Sequence, residues 1–250
     1  MKKIDFKKNI FPLIVTVAVF VIAAIVYCKP VLKGMVIGTG DHINGFSAVQ
    51  ESLRYTEQTG NYSWWNGAVF SGMPNYQIGG GRYKSSEVIG VFQDFFHKGH
   101  DNAIFTVIFY LLAFFILLRA FGVERKLAAA GAFAIAFSSY FMIIIGAAHG
   151  GKTSSISWMT LVLVGMLLTY RKKYGWGCVM TMFFMSMGYT PHPQMAYYVC
   201  LLIGVMFCAE FYIHIEEKRM KEWAVATVLF VASLAVGFGT TMGNTFANQE

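Results

Sequence analysis

The chain has 250 residues, of which 56% are hydrophobic and only 13% are charged. Soluble domains carry about 25% charged residues, so this composition excludes an ordinary soluble protein and indicates a membrane protein. The formal net charge is +7, but Lys and Arg cluster in short loops between apolar runs. This distribution is a signal of membrane topology, and it argues against nucleic acid as a partner.

Seven apolar runs predict an all-α polytopic transmembrane protein, because a bilayer core of about 30 Å needs roughly 20 helical residues. The runs cover residues 10–27, 103–118, 127–148, 156–170, 176–189, 195–213 and 223–242. Several are short for a full crossing, which is tolerable where a helix packs against other helices. The predicted organisation is a cytoplasmic tail with the first span (1–28), a long external loop (29–101), and about six further spans (102–250).

The basic residues predict the orientation of these spans. They precede the first span and follow the second, fourth and sixth: Lys2, Lys3, Lys7, Lys8; Arg119, Arg125, Lys126; Arg171, Lys172, Lys173; Lys218, Arg219, Lys221. The positive-inside rule then places the N-terminus in the cytoplasm and the long first loop outside. A cleavable signal peptide is the competing interpretation, but no small-x-small cleavage site follows Tyr27, which favours an uncleaved anchor.

The external loop begins with a predicted amphipathic helix over residues 43–58, with Asp41 at its start. Asp is an ordinary N-cap residue, and it is equally a candidate catalytic base. The two roles are compatible, because the positive end of a helix stabilises an ionised carboxylate.

The middle of the loop is rich in aromatic and turn-forming residues. Trp64 and Trp65 are interpreted either as anchors at the membrane interface or as platforms for a sugar ring. Three glycines at 79–81 followed by Arg82 form a weak candidate for phosphate binding. A second amphipathic helix is predicted over residues 85–98, lying flat in the interface.

Two further polar groups fall on the predicted outer face. His149 and Lys152 follow the third span, and Lys152 is the lone basic residue of the short external loops, against the positive-inside trend. His192 and Gln194 lie in the next external turn, where two prolines bracket the histidine. A cation at this face indicates an anionic ligand such as a lipid-linked phosphate.

The order of these motifs resembles the YfhO family of integral membrane proteins, which are of the GT-C glycosyltransferase type. The resemblance covers nearly the whole chain. Its most specific strings are Gly-Met-Pro-Asn-Tyr-Gln at 72–77 and His-Pro-Gln-Met-Ala-Tyr-Tyr at 192–198, with Gly40-Asp41 and Ala-His-Gly-Gly-Lys at 148–152 in support.

The resemblance implies a GT-C-like helical bundle whose long first external loop carries short membrane-lying helices. It further implies transfer from a polyprenyl-phosphate sugar to a glycan, lipid or protein of the cell envelope. Asp41 would act as general base, and His149, Lys152 and Arg82 would hold the donor phosphate. The remaining site assignments, all sugar-compatible, are Asn44, Trp65, Asn66, Tyr76, Gln77, His192 and Gln194.

Several alternatives remain open from the sequence. Family members are longer, so the chain is expected to lack a C-terminal part. A divalent metal (Mg or Mn) is compatible with carboxylates such as Asp41, Glu51 and Glu57, although their spacing matches no defined site.

The competing function is a transporter or flippase-like protein for a lipid-linked saccharide. It is disfavoured because the spans hold almost no ionisable residues, and Glu210 lies near a cytoplasmic end. Glycines within spans, namely Gly131, Gly165, Gly204 and Gly237, are expected to serve helix packing.

Overall fold

A computed structural model describes residues 10–35, 40–75, 91–92, 103–189 and 192–247. Its elements are helices and one small β-hairpin. In chain order they are α1 (Phe11–Tyr27), a short 3₁₀ helix (Lys29–Lys33), α2 (Gly40–Thr59), β1 (Trp65–Asn66), β2 (Met73–Pro74), α3 (Ala103–Ala120), α4 (Arg125–Ala136), α5 (Ser139–Gly146), α6 (Gly150–Tyr170), α7 (Tyr174–Tyr189), α8 (Pro193–Glu216), α9 (Met220–Gly239) and α10 (Met242–Ala247).

The predicted all-α, multi-pass membrane architecture is confirmed at this level. Each predicted apolar run coincides with a helix, and the third coincides with α4 and α5 together. By length and composition, four described helices can cross a membrane: α3, α6, α8 and α9. The pair α4 and α5 makes a fifth if the 49° bend between them is counted as one broken span. At 17 and 16 residues, α1 and α7 are shorter.

Helix α6 is the centre of the bundle, because α3, α7, α8 and α9 all pack against it. It is buried almost along its whole length, although it carries several hydroxyl side chains. Those hydroxyls bond to backbone carbonyls: Ser157 to Thr153, Thr160 to Ile156, and Ser155 across to Gly188 of α7. Internal satisfaction of this kind lets a polar helix lie inside a bundle without water.

The contact between α6 and α7 depends on two glycines. A Cβ atom at Gly165 would lie 2.4 Å from Thr181 Oγ1, and one at Gly177 would lie 2.2 Å from Thr169 Oγ1. The absence of side chains therefore lets the two backbones approach closely, as in small-residue packing of membrane helices. The same expectation is confirmed for Gly131 and Gly237, but it is wrong for Gly204, where a Cβ would meet nothing within 4 Å.

Helices α1 and α4 both pack on α3, and an aromatic cluster joins the three. Phe20 of α1 is wholly buried, with its ring 5.7 Å from that of Phe115 and 5.3 Å from that of Phe133, both edge-to-face. Edge-to-face pairs are favourable beyond their buried area. This cluster anchors the first apolar helix to the rest of the bundle.

The first loop forms a small unit, called here the loop unit, made of α2 and the β-hairpin. The predicted helix over 43–58 is confirmed and is slightly longer, since α2 covers Gly40–Thr59 and ends at Gly60 with φ +72°. The hairpin pairs Trp65 with Pro74 and Asn66 with Met73 in antiparallel register. Short strands were not predicted, because each spans only two residues. The predicted helix over 85–98 lies outside the described residues except for Val91 and Phe92, which are helical.

Candidate functional site

Two helix starts come together at one end of the bundle. The start of α6 lies beside the end of α7, because Ser155 donates to Gly188 O, so the turn before α6 and the turn before α8 lie at the same end of the bundle. The first turn ends at His149, the N-cap of α6, after Ala148 adopts a left-handed φ of 58°. The second ends at His192, the N-cap of α8, whose helix continues through Pro193. Both turns therefore point the positive ends of long helices toward the same face.

The three basic side chains at this face interact electrostatically. Burial lowers the pKa of His192 below its usual range, and the positive charges of Lys152 and His149 lower it further. The Nδ1 atom of His192 is buried and has no hydrogen-bond partner in the described part of the chain. His149 and Lys152 are half-buried. We call these three residues the cation cluster; two helix N-termini and three basic groups make it a region of positive potential.

An apolar groove lies in the same half of the bundle. It has a volume of about 320 Å³, and its walls come from α6, α7, α8 and α9. Ala196 of α8 lines it and lies four residues, or about 6 Å of helix, beyond His192. Cys200, one turn further along α8, also lines the groove and is solvent- or lipid-accessible. Helix α8 thus contributes to both features, with His192 in the cation cluster and Ala196 in the apolar groove.

In the loop unit, Asn66 and Asn75 hold the hairpin in place. Asn66 is wholly buried; its amide donates to Ala48 O of α2 at 2.6 Å and accepts from the backbone N–H of Ala68 at 2.9 Å. Asn75 donates to Ser63 O at 2.8 Å. The side chain of Asn66 is therefore already committed to backbone groups, and its observed role is to fix the hairpin on α2.

Trp65 is the exposed aromatic residue that this hairpin presents. Its side chain is 59% exposed, and its ring lies against Gly72, where a Cβ would be 2.8 Å from Cζ2. Gly72 also has φ +114°, which strongly favours glycine. Trp64 is equally exposed and packs edge-to-face on Tyr62 at 4.9 Å. The Gly in the Gly-Met-Pro string is thus explained by the position of Trp65.

Asp41 lies in the first turn of α2 rather than before it, because the helix already begins at Gly40. Negative charge is favourable in a first turn as well as at an N-cap. The hairpin attaches to the same helix through Ala48. The side chain of Asp41 itself is outside the described part of the structure.

The remaining predicted site residues are scattered or not described. Asn44 is exposed on α2, and Gln194 is exposed at the start of α8, where it donates to Tyr198 Oη at 2.8 Å. Tyr76, Gln77 and Arg82 lie outside the described residues. Among the described residues, no group of three or more His, Cys, Asp and Glu side chains is arranged to hold a metal.

The contact between His214 and Glu210 was not predicted from the sequence. His214 of α8 is 2% exposed; its Nδ1 lies 3.6 Å from a carboxylate oxygen of Glu210 and 2.7 Å from that residue's carbonyl oxygen. The ring of Tyr170 is 5.9 Å away, and its hydroxyl bonds to Thr227 at 2.9 Å. The i, i+4 spacing of Glu210 and His214 was the available signal. Glu210 therefore has a partner within its own helix.

The fold defines the class of this molecule as a multi-pass, all-α membrane protein with a polar face at one end of its bundle. No family model matches the sequence. No curated protein and no solved structure matches it significantly.

Proposed function

We propose that this protein is a membrane glycosyltransferase of the GT-C type, similar to the YfhO family, that takes a sugar from a polyprenyl-phosphate donor. The acceptor is a glycan, lipid or protein on the external side of a bacterial inner membrane. The observation that carries the proposal is the cation cluster of His149, Lys152 and His192 next to the apolar groove. A lipid-linked phosphate needs a positive site beside a hydrophobic channel.

The donor would divide between these two features. Its phosphate would accept hydrogen bonds from Lys152 and the histidines, with the N-termini of α6 and α8 adding fixed positive potential. Its isoprenoid chain would lie in the apolar groove, along Ala196 and Cys200 of α8. As the bond between the sugar and the phosphate breaks, negative charge grows on the leaving phosphate, and the cluster stabilises that charge.

The loop unit would supply the acceptor side of the reaction. Asp41 would accept the proton of the acceptor hydroxyl while the hydroxyl oxygen attacks the sugar carbon. The attack would invert the configuration of that carbon and release the lipid phosphate. Trp65, supported by Gly72 and Asn66, is the ring exposed for sugar stacking. Arg82, Asn44, Tyr76, Gln77 and Gln194 remain assigned to the donor and substrate sites. A divalent ion is compatible with Asp41 and Glu51 but no step depends on it.

The alternative is a transporter or flippase-like protein for the same lipid-linked saccharide. The buried group of Glu210 and His214 is the observation in its favour, since ionisable residues inside spans often mark transport paths. However, this group lies in the last two turns of α8, toward one end of the helix, rather than near its middle. A transport path requires such groups near the bilayer centre, so the enzyme is preferred.

The donor part of the proposal is tested by cysteine protection. Cys200 lines the groove, whereas Cys208 is an exposed free cysteine on the same helix that does not line it. In single-cysteine variants, polyprenyl phosphate is expected to slow alkylation of Cys200 by an apolar maleimide and to leave Cys208 unchanged. Equal rates at Cys200 with and without the lipid would remove the donor site from this groove.

The chemical part is tested by transfer. Radiolabelled polyprenyl-phosphate sugars are incubated with the protein and envelope extract, with and without EDTA. Asp41→Asn is expected to abolish the transfer of label while leaving membrane insertion and Cys200 protection intact. Full turnover by Asp41→Asn would refute the general base. Protection without any transfer by the unaltered protein, across a broad acceptor panel, would favour the transport alternative.

A further inference from the structure

A second apolar groove lies between α1 and α4, away from the cation cluster. Its volume is about 490 Å³, which is within the usual range of ligand pockets. Val15 and Val19 of α1 form one wall, and Ala129 of α4 forms part of the other. The Phe20–Phe133 aromatic pair closes its deep end, with ring centroids 5.3 Å apart. Its lining is almost wholly hydrocarbon except at one end.

The length of the groove matches one leaflet of a bilayer. Its α1 wall runs from Phe11 to Phe20, which are ten residues that span about 14 Å of helix. This is close to half of the roughly 30 Å hydrocarbon core. The groove therefore begins at the end of the bundle that carries the basic loops and stops near the middle of the membrane.

The open end of the groove is positively charged. Arg125 and Lys126, the first residues of α4, line it together with the single carboxylate Glu124. In the described chain, neither of these two basic side chains forms an ion pair or hydrogen bond. In the neighbouring basic loop, by contrast, Lys172 pairs with Glu222 and Arg171 bonds to Ala120 O. Among the described residues, the mouth is thus net positive, and its two cations have no partner there.

The geometry points to a binding site for an anionic phospholipid from the leaflet on the side of the basic loops. An acyl chain fills the groove along Val15 and Val19, and the phosphate of the headgroup lies between Arg125 and Lys126. Basic pockets between membrane helices bind anionic headgroups in this way. The site is separate from the proposed donor site, which involves α6 to α9 at the other end of the bundle, and it does not depend on the proposed function.

The site is tested by native mass spectrometry of the purified 250-residue chain, released from micelles with phosphatidylglycerol or phosphatidylcholine added. We expect one tightly retained phosphatidylglycerol and weak retention of phosphatidylcholine. Each surface cation contributes a factor of about five in affinity for anionic lipid, so R125Q/K126Q is expected to weaken phosphatidylglycerol binding about 25-fold. K173Q/K221Q removes the same charge from exposed lysines outside the groove and is expected to leave binding unchanged.

A second pair of variants tests the groove itself. V15W fills the groove, whereas I14W places the same ring on a neighbouring exposed position that does not line it. V15W is expected to abolish retention and I14W to preserve it. Equal retention by both variants, equal loss in the two charge variants, or no preference for the anionic lipid would overturn the proposal. A dimer that V15W dissociates would show instead that a second copy of the chain occupies the groove.

Discussion

At the scale of single residues, some polar and aromatic side chains are bonded within the fold, whereas others remain available to bind a ligand. Asn66 and Trp65 are adjacent in sequence and both sugar-compatible, yet Asn66 is 0% exposed with its amide bonded to backbone, while Trp65 is 59% exposed. Likewise the buried Nδ1 of His192 has no partner in the described chain, whereas the Nδ1 of His214 lies 2.7 Å from the carbonyl oxygen of Glu210. Residue type alone could not distinguish these cases, because the distinction depends on which partners the fold supplies.

Lys152 is expected to provide the main charge for an anionic donor. Lys152→Gln should weaken polyprenyl-phosphate binding roughly 10- to 100-fold, the usual effect of losing a charge-assisted hydrogen bond. The measurement is the concentration of lipid that half-protects Cys200. Lys33→Gln, in the exposed 3₁₀ helix after α1, removes the same charge outside the cluster and is the matched control. Similar affinities of the two variants for polyprenyl phosphate would show that Lys152 does not bind the donor.

His192 is expected to make donor binding pH-dependent. Burial and the nearby Lys152 and His149 hold its pKa below its usual range, so the free protein keeps it neutral at pH 7. A bound phosphate favours the imidazolium, so binding takes up a proton and affinity should rise several-fold as the pH falls from 7.5 to 5.5. His192→Asn should flatten this dependence relative to His149→Asn. An unchanged pH profile in His192→Asn would contradict the assignment.

The same shift has a consequence for stability. Because the pKa of His192 is lower in the folded protein than in the unfolded chain, the unfolded chain binds more protons once the pH drops below about 6.5. The contribution of His192 to stability is therefore complete above that pH and is lost as the pH falls through the folded-state value.

At the scale of elements, the close contact of α6 with α7 is the feature most sensitive to mutation. Gly165→Ala places a methyl group 2.4 Å from Thr181 Oγ1 and 2.9 Å from the Thr181 backbone nitrogen. Such overpacking is expected to destabilise the bundle by about 1–3 kcal/mol. Gly204→Ala meets nothing within 4 Å, so it should be neutral or slightly stabilising. Thermal unfolding in detergent compares the two, and equal midpoints would contradict this account of the interface.

The elements also show where sequence patterns succeed. Helix α2 was predicted because Phe46, Val49 and Leu53 repeat at helical spacing, and its end was predicted from Gly60. The hairpin was not predicted, because strands of two residues carry no periodicity. What creates them is a set of side-chain and backbone bonds: Asn66 to Ala48, Asn75 to Ser63, and the ring of Trp65 over Gly72.

At the scale of the whole molecule, the proposed function requires the orientation that the basic loops predict. In a background without the native cysteines, Asn61→Cys in the loop unit should react with a membrane-impermeant maleimide in intact cells. Lys173→Cys, between α6 and α7, should react only after permeabilisation. Both positions are exposed, so accessibility differs only through the membrane. The reverse pattern would place the cation cluster in the cytoplasm and overturn an external transferase.

The sequence by itself determined that this is a multi-pass membrane protein and where most of its helices lie along the chain. Apolar runs of membrane length and the alternation of basic loops are local features, so the helices and a multi-pass architecture follow from them. The predicted topology placed His149, Lys152 and His192 on one face, and tertiary structure decided which polar residues interact there. His149 and His192 are 43 positions apart, and they interact because the start of α6 lies beside the end of α7. Such convergence, like the burial of Asn66 and the close approach at Gly165, depends on non-local packing that no pattern of neighbouring residues encodes.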